Sequence, residues 1–295
     1  MIRVLFSALL VVAMTASLPS GAAAERPSFS FGAIADCQFA AEPDAPPRLY
    51  HTAPDKLAEA VTRFDGEKLA FVTHLGDFID RDWVSYDVLL PIVRRSHHPW
   101  RFVLGNHDFG VPDAQKAAVP AKLGMPARYY SFTKHGWLFI VTDGNDLSSY
   151  AWPEGSAEHA RSMAAHAGLY ADKPLWDGGI GDVQMRWIDA QLTHADAAGQ
   201  KAVLLSHFPL YPANPHNLWN ADAMLALLDR HPSVKMWLDG HNHEGNYGLR
   251  NGIHFVNLKA MLDTTETAYA RIDMFADRIE VHGFGRQQDM VLPLR

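Results

Sequence analysis

Five short segments of this chain combine carboxylates, carboxamides and imidazoles directly after apolar runs. They hold Asp36 and Gln38 in "ADCQF", Asp77 and Asp80 in "GDFID", and Asn106, His107 and Asp108 in "GNHD". Further on come His207 in "SHFPL" and His241 and His243 in "GHNH". All offer oxygen or imidazole nitrogen, the donors that hold hard to borderline divalent cations. Seven candidates, Asp36, Gln38, Asp77, Asn106, His207, His241 and His243, exceed what one tetrahedral zinc uses. They suit two ions that share a carboxylate and keep positions open for water and substrate. In extended chain, residues i and i+2 share a side. Asp36 and Gln38 are therefore expected to point together with Cys37 turned away, and His241 with His243 likewise, Asn242 turned aside. Glycines before Asp77, Asn106 and His241 allow sharp turns and close approach. Each motif alone is weak, since a lone "GD" is usually a turn; the information lies in their conjunction.

The segments need a scaffold that delivers them to one place. Runs of strand type occur at 29–35, 69–75, 100–104, 138–142, 201–206, 234–238 and 253–258. Helical spacing of three and four appears at 55–64, 182–195 and 221–231. The alternation predicts an α/β protein, and ligands of open α/β sheets bind at the carboxyl ends of the strands. Residues 268–285 alternate around an Ala-Asp turn, predicting a hairpin at a sheet edge. His97 and His98 fall late in an expected helix and read as capping or surface residues.

Composition narrows the function classes. The 295 residues are 48% hydrophobic and 20% charged, the balance of a globular protein with a substantial core. Arg3, the run "VLFSALLVVAMTASL" and the small residues before Glu25 read as a secretory signal peptide cut near Ala24; the rival reading is a retained N-terminal anchor, for which about 15 apolar residues are short. The expectation is an exported, periplasmic protein of residues 25–295, with no membrane span after cleavage. Residues 1–24 carry one Arg and no acid, so cleavage takes the formal charge from −7 to −8. That excludes nucleic-acid binding by a basic surface. Cys37, the only cysteine, cannot form an internal disulfide.

Together "DCQ", "GDFID", "GNHD", "SH" and "GHNH", in this order over residues 29–260, resemble the calcineurin-like metallophosphoesterases. The resemblance implies a four-layer α/β/β/α sandwich with a dimetal centre at the strand ends. Carried over, Asp36, Gln38, Asp77 and His243 hold the first metal. Asp77 bridges, and Asn106, His207 and His241 hold the second. His107 matches the residue that contacts the leaving group or phosphoryl oxygens, and Asp80 its orienting partner. Most members have Asp-x-His where this chain has Asp36-Cys37-Gln38. The glutamine, with "LGDFID", "VLGNHDF", "YYSF" and "GGIGDVQMRWIDAQL", is similar to the manganese-dependent ADP-ribose/CDP-alcohol diphosphatases. That implies hydrolysis of a small nucleotide-type phosphate substrate, a nucleoside diphosphate linked to an alcohol or sugar. A hydroxide shared by the two ions would attack one phosphorus while His107 assists the departing oxygen. Mn²⁺ comes first among the ions, with Mg²⁺, Fe²⁺, Co²⁺ and Zn²⁺ as alternatives; a glutamine oxygen in place of imidazole makes the site harder.

Two questions stay open in the sequence. Residues 144–180 show weak periodicity and many Gly and Pro residues, so they form either a substrate-facing insertion or a surface loop without a role. Their Tyr150, Trp152, Tyr170 and Trp176 either stack on a nucleobase or pack beneath the insertion. Arg48 and Arg81 are possible phosphate contacts, but solvated surface arginines are commoner, and neither is counted among the site residues. The alternative activities are a phosphomonoesterase or cyclic-nucleotide phosphodiesterase of the same family, or an exported metal-binding module. Asp80 stands where purple acid phosphatases have tyrosine, and Leu104 stands before "GNH" where protein phosphatases have arginine. Metal storage needs neither His107 nor Asp80.

Overall fold

The computed structural model describes residues 25–294, and the predicted signal peptide lies outside them. Two six-stranded sheets carry the chain. In the first, β1 (Phe29–Ile34), β2 (Val72–His74) and β3 (Trp100–Phe102) run parallel. β1 also pairs antiparallel with β10 (Ala268–Met274), followed by β11 (Arg278–Gly285) and β12 (Met290–Pro293). In the second, β5 (Trp137–Val141), β6 (Ala202–Leu205), β7 (Val234–Asp239) and β9 (Ile253–Asn257) are parallel. β4 (Tyr130–Lys134) and β8 (Asn246–Arg250) close its edges antiparallel.

Strands covered on both faces need continuous apolar runs, and β5 and β6 are buried at every residue. Their alternate side chains face two cores. Phe139 packs edge-on against Phe31 and Phe71 of the first sheet at 5.6 and 5.1 Å between ring centroids, so the sheets meet face to face. On the other side, Ile140, Leu204 and Trp237 join Ile188 and Leu192 of α6 (Asp182–Ala197) and Met224 and Leu228 of α7 (Ala221–Leu228). The outer face of the first sheet takes α1 (Ala53–Asp65), whose Phe64 ring lies where a Cβ on Gly32 would sit 2.9 Å away. α2 (Ser85–Val93) packs beside α1. The α/β/β/α layering is the expected one.

Several elements differ from the sequence expectation. The 268–285 hairpin forms, but β10 lies inside the sheet beside β1 and the edge is β12. α2 ends at Val93, so His97 and His98 follow it rather than belong to it; a ring nitrogen of His98 meets the Phe64 carbonyl 2.9 Å away, near the end of α1. Between the sheets' strands also lie the short α3 (Asp113–Lys116) and α4 (Val119–Lys122), and α5 (Ala157–Leu169) inside the stretch expected to be irregular.

One buried charge ties the layers to the site. Lys56 of α1 donates from Nζ to the carbonyls of Met261, Leu262, Asp263 and Thr264, at 2.9, 3.3, 3.4 and 2.6 Å. Burial pushes its pKa down to about 8, so it remains charged at neutral pH. The three N–H groups share these four carbonyls, and charge-assisted hydrogen bonds of this kind compensate the burial of the ammonium. The 261–264 turn, which carries Asp263, is thereby fixed to α1.

Candidate metal centre

β1, β2 and β3 of one sheet and β6 and β7 of the other end at the same place. The polar residues gather, as the resemblance implied, at strand ends, and the strands that supply them come from both sheets. Asp77 stands at the middle. Its Oδ1 accepts from the His107 backbone N–H at 2.8 Å. Its Oδ2 lies 3.2 Å from Gln38 Nε2 and 3.3 Å from His207 Nε2. His207 Nε2 is 3.1 Å from both Asn106 Oδ1 and His241 Nδ1. His243 Nε2 is 3.9 Å from Asp36 Oδ1, and Asp36 accepts from the His241 backbone N–H. All seven predicted ligands thus converge.

The local backbone departs from expectation in an informative way. Asp36 and Gln38 are not extended: their φ values are 55° and 43°, because Asp36 N–H donates to Gly76 O and Gln38 N–H to Asp77 O after β1 has ended. Asp77 and His241 are left-handed too, at 54° and 67°, and Asn242 lines the cleft beside His241 and His243 instead of turning aside. Left-handed geometry costs roughly 1–2 kcal/mol per non-glycine residue. Four of the seven convergent residues bear that cost, and such strain concentrates where geometry serves function. Cys37 does turn away, its Sγ 3.4 Å from Met261 Sδ in the core. Gly105 has no substitute: a Cβ there would lie 2.1 Å from Asp77 Oδ1.

Asp108, which the sequence placed among the polar residues without a role, fastens two of the loops. Its carboxylate accepts from the backbone N–H groups of Asp77, Phe78 and Gly105, at 3.1, 3.1 and 2.9 Å, and from Tyr86 Oη at 3.2 Å.

The donor set was tested against a divalent cation by its own hydrogen bonding. Each histidine uses one ring nitrogen outward. His207 Nδ1 meets Leu75 O at 2.9 Å, His241 Nε2 meets Asp177 Oδ1 at 2.8 Å, and His243 Nδ1 meets Asp263 at 3.1 Å. Such carboxylate or carbonyl partners are what metal-ligating histidines have on their second nitrogen. The other nitrogens of all three turn toward Asp77 and Asp36. Gln38 Oε1 is buried without a hydrogen-bond partner, a cost that a cation removes. Asp77, His207 and His241 offer atoms all within 4.8 Å of one another. Burial pushes Asp36 up to about 6 even with His207 and His243 nearby, and Asp77 overcomes burial to raise His207 to about 9; a cation held here would replace the His207 proton. The residues fit, and oxygen and imidazole donors without thiolate favour ions of the Mn²⁺ or Mg²⁺ kind.

A cleft of about 380 Å³ opens over this cluster. His107 lines it, with Nδ1 turned to Asp80, 3.3 Å from Oδ1 and 3.1 Å from the backbone O. Of the four aromatics in 144–180, only Trp176 reaches the cleft, 54% exposed. Tyr150 Oη bonds Asn145, Trp152 lies under Arg128, and Tyr170 stacks on Trp219, so those three pack beneath the segment. Arg48 also lines the cleft, against the expectation of a solvated surface residue, whereas Arg81 is outside it and pairs with Asp80 at 2.7 Å.

A model of the calcineurin-like phosphoesterase family matches residues 29–245. The chain belongs to that family. The similar proteins cover nearly all of it. Manganese-dependent ADP-ribose/CDP-alcohol diphosphatases of Arabidopsis thaliana and Danio rerio are 29% and 28% identical over 91% of this chain, and 98% and 99% of their own. A dimetal phosphatase from Danio rerio superposes with a TM-score of 0.80 at 26% identity, over 91% of this chain and all of that one. GAP50 of Plasmodium, at 14% identity and a TM-score of 0.58, shares the fold alone.

Asp177 and Asp263 escaped sequence reasoning because they lie 64 and 20 residues from the histidines they hold. The one available signal was an acid beside Trp176 in the weakly periodic segment. In this phosphoesterase the segment is anchored by paired bonds between Leu147 and Gly179, which set Asp177 under His241. Asp177→Asn is expected to weaken metal affinity by about 10–100-fold, the usual cost of losing such a partner. Metal titration of the apoprotein checks this, and unchanged affinity rules the role out.

Proposed function

We propose that this chain is a metal-dependent diphosphatase that hydrolyses nucleoside diphosphates linked to an alcohol or sugar, with ADP-ribose and CDP-alcohols as the substrate class and Mn²⁺ as the preferred ion. The observation that carries this is the end-to-end similarity to diphosphatases of that description, together with Gln38 within the cluster. Asp36, Gln38, Asp77 and His243 are assigned to one ion and Asn106, His207 and His241 to the other, with Asp77 shared. Bound ions supply a nucleophile at neutral pH and offset charge on the phosphoryl oxygens. They also explain how a chain of net charge −7 accepts an anion.

The remaining chemistry belongs to the side chains. As the imidazolium, His107 donates from Nδ1 to the Asp80 backbone carbonyl and from its other nitrogen to the departing oxygen. The Asp80 carboxylate, 1% exposed and 3.3 Å from Nδ1, favours that charged form. Trp176 on the rim offers an aromatic face to a base. Residues 25–295 act as one catalytic domain, exported when residues 1–24 are removed. The leader pattern supports export, and among the described residues no helix is long and apolar enough to cross a membrane.

The test is a substrate panel with Mn²⁺: ADP-ribose, CDP-choline, CDP-glycerol, cyclic nucleotides and p-nitrophenyl esters, with products identified. Expected is cleavage of the diphosphates to two phosphomonoesters. Preference for simple monoesters overturns the diphosphatase reading. Recovery from the periplasmic fraction reports export and the protein's mass reports cleavage; protein found in the cytosol with residues 1–24 retained contradicts the reading.

A further inference from the structure

Arg48 is the only lysine or arginine among the residues that line the cleft. Its side chain is 36% exposed, and its nearest carboxylate is Asp80 Oδ1, 3.6 Å from Nη1. That is an ion pair too long for a hydrogen bond. Arg81 takes the other oxygen of the same carboxylate at 2.7 Å. Arg48 therefore keeps its N–H donors for a ligand. Its main chain is fixed from both sides. It exchanges backbone hydrogen bonds with Ala45 at 2.9 and 3.0 Å, and it bridges to Asp263, the residue that holds His243.

The location within the cleft gives the ligand its identity. Asp80 Oδ1 is 3.3 Å from His107 Nδ1 and 3.6 Å from Arg48 Nη1, so one oxygen places the imidazole and the guanidinium side by side. His107 is the residue assigned to the departing oxygen. Arg48 thus lies on the leaving-group side, and guanidinium recognises phosphate by paired, charge-assisted hydrogen bonds.

We propose that Arg48 binds the leaving phosphate and makes the enzyme selective for substrates whose leaving group is itself a phosphate. This rests on the diphosphatase reading and deepens it. In the reaction, the oxygen of one water bonds to the attacked phosphorus and the bond from that phosphorus to the bridging oxygen breaks. The bridging oxygen departs on the second phosphate with the electron pair, and one proton of the water is released to solvent or to that oxygen. The charge that grows on the second phosphate is what Arg48 meets. An aryl ester expels a phenolate without a phosphate, and gains much less from Arg48. Arg81 stays outside the cleft, so one guanidinium faces it, which matches a single phosphate beyond the scissile one.

The experiment compares ADP-ribose with bis(p-nitrophenyl) phosphate in wild type, Arg48→Ala and Arg48→Lys, under saturating Mn²⁺, with melting temperatures recorded. Arg48→Ala is expected to lower kcat/KM for ADP-ribose by roughly 10–100-fold, the range for one hydrogen-bonded charge, and to lower the ratio of ADP-ribose to aryl-ester kcat/KM at least about tenfold. Arg48→Lys should recover part of that ratio. Competitive inhibition by ribose 5-phosphate should weaken in Arg48→Ala. An equal loss on both substrates means that Arg48 acts only through Asp80 and His107, and overturns the proposal. So does an unchanged ratio in a wild type that cleaves both substrates. A wild type that cleaves aryl esters and no diphosphate overturns the diphosphatase reading, and this assignment with it.

Discussion

Asp77→Asn is expected to lower turnover of the preferred diphosphate by roughly 10³-fold or more and to reduce bound metal from two ions per chain to one or none. The magnitude follows from what the carboxylate does. A metal ion acting on a phosphoryl oxygen contributes several kcal/mol, and every 1.36 kcal/mol is tenfold in rate. Asp77 is the group assigned to both ions, so its charge is lost to both at once. Asparagine is the informative replacement because position 77 has φ 54°, a conformation that Asn tolerates well. Its carboxamide can still accept from the His107 N–H, the 2.8 Å bond that joins the second and third loops. A fall in rate then reports charge rather than collapse of the loop. Metal content of the purified variant and single-turnover rates decide the matter. Two ions retained with a rate within tenfold of wild type would sink the shared-ligand assignment.

How much of this centre could be read before the structure depends on the range of the interaction. The candidate ligands announce themselves because each sits a few residues past an apolar run, and strand ends converge in an α/β fold. β5, β6 and β7 are legible for the same reason, being buried on both faces. β4 and β8 are not, since "YSFTK" and "NYGLR" are mostly half-exposed and carry no strong pattern. α5 buries only Ser162 and so shows no clear apolar stripe, while the expected α2 ends at Val93, earlier than the sequence placed it. The partners of the histidines were invisible for a different reason. Asp177 and Asp263 meet His241 and His243 only through tertiary packing, and Arg48 meets Asp80 across 32 positions in the same way. The extended geometry assumed for Asp36-Cys37-Gln38 failed although its outcome, Cys37 facing the core, held. The loop after β2 captures the backbone through Gly76 O and Asp77 O and bends it into left-handed turns that no local preference favours.

His107→Ala should separate proton donation from metal chemistry. The imidazole touches Asp80 and the cleft, and it is assigned to neither ion, so the variant should keep two ions per chain while kcat falls by about 10²–10⁴-fold, the range for a positioned general acid. The loss should depend on the leaving group. An alkoxide departs as a strong base and needs the proton, whereas p-nitrophenolate and a phosphate monoester, whose second ionisation falls at about pH 6, depart as weak ones. A series of esters with leaving groups of rising basicity should therefore show a steeper dependence of rate on leaving-group pKa in His107→Ala than in wild type. Asp80→Asn should steepen it less, because His107 Nδ1 retains the Asp80 carbonyl at 3.1 Å as a second partner. Parallel slopes in all three proteins would assign His107 to binding of the phosphoryl oxygens instead. That outcome would leave Arg48 as the only side chain on this wall that answers to the leaving group, and the two residues' effects would then be independent in the double variant. If His107 donates the proton, the effects should be less than additive, because a guanidinium that neutralises the leaving phosphate also lowers the basicity of the oxygen that His107 protonates.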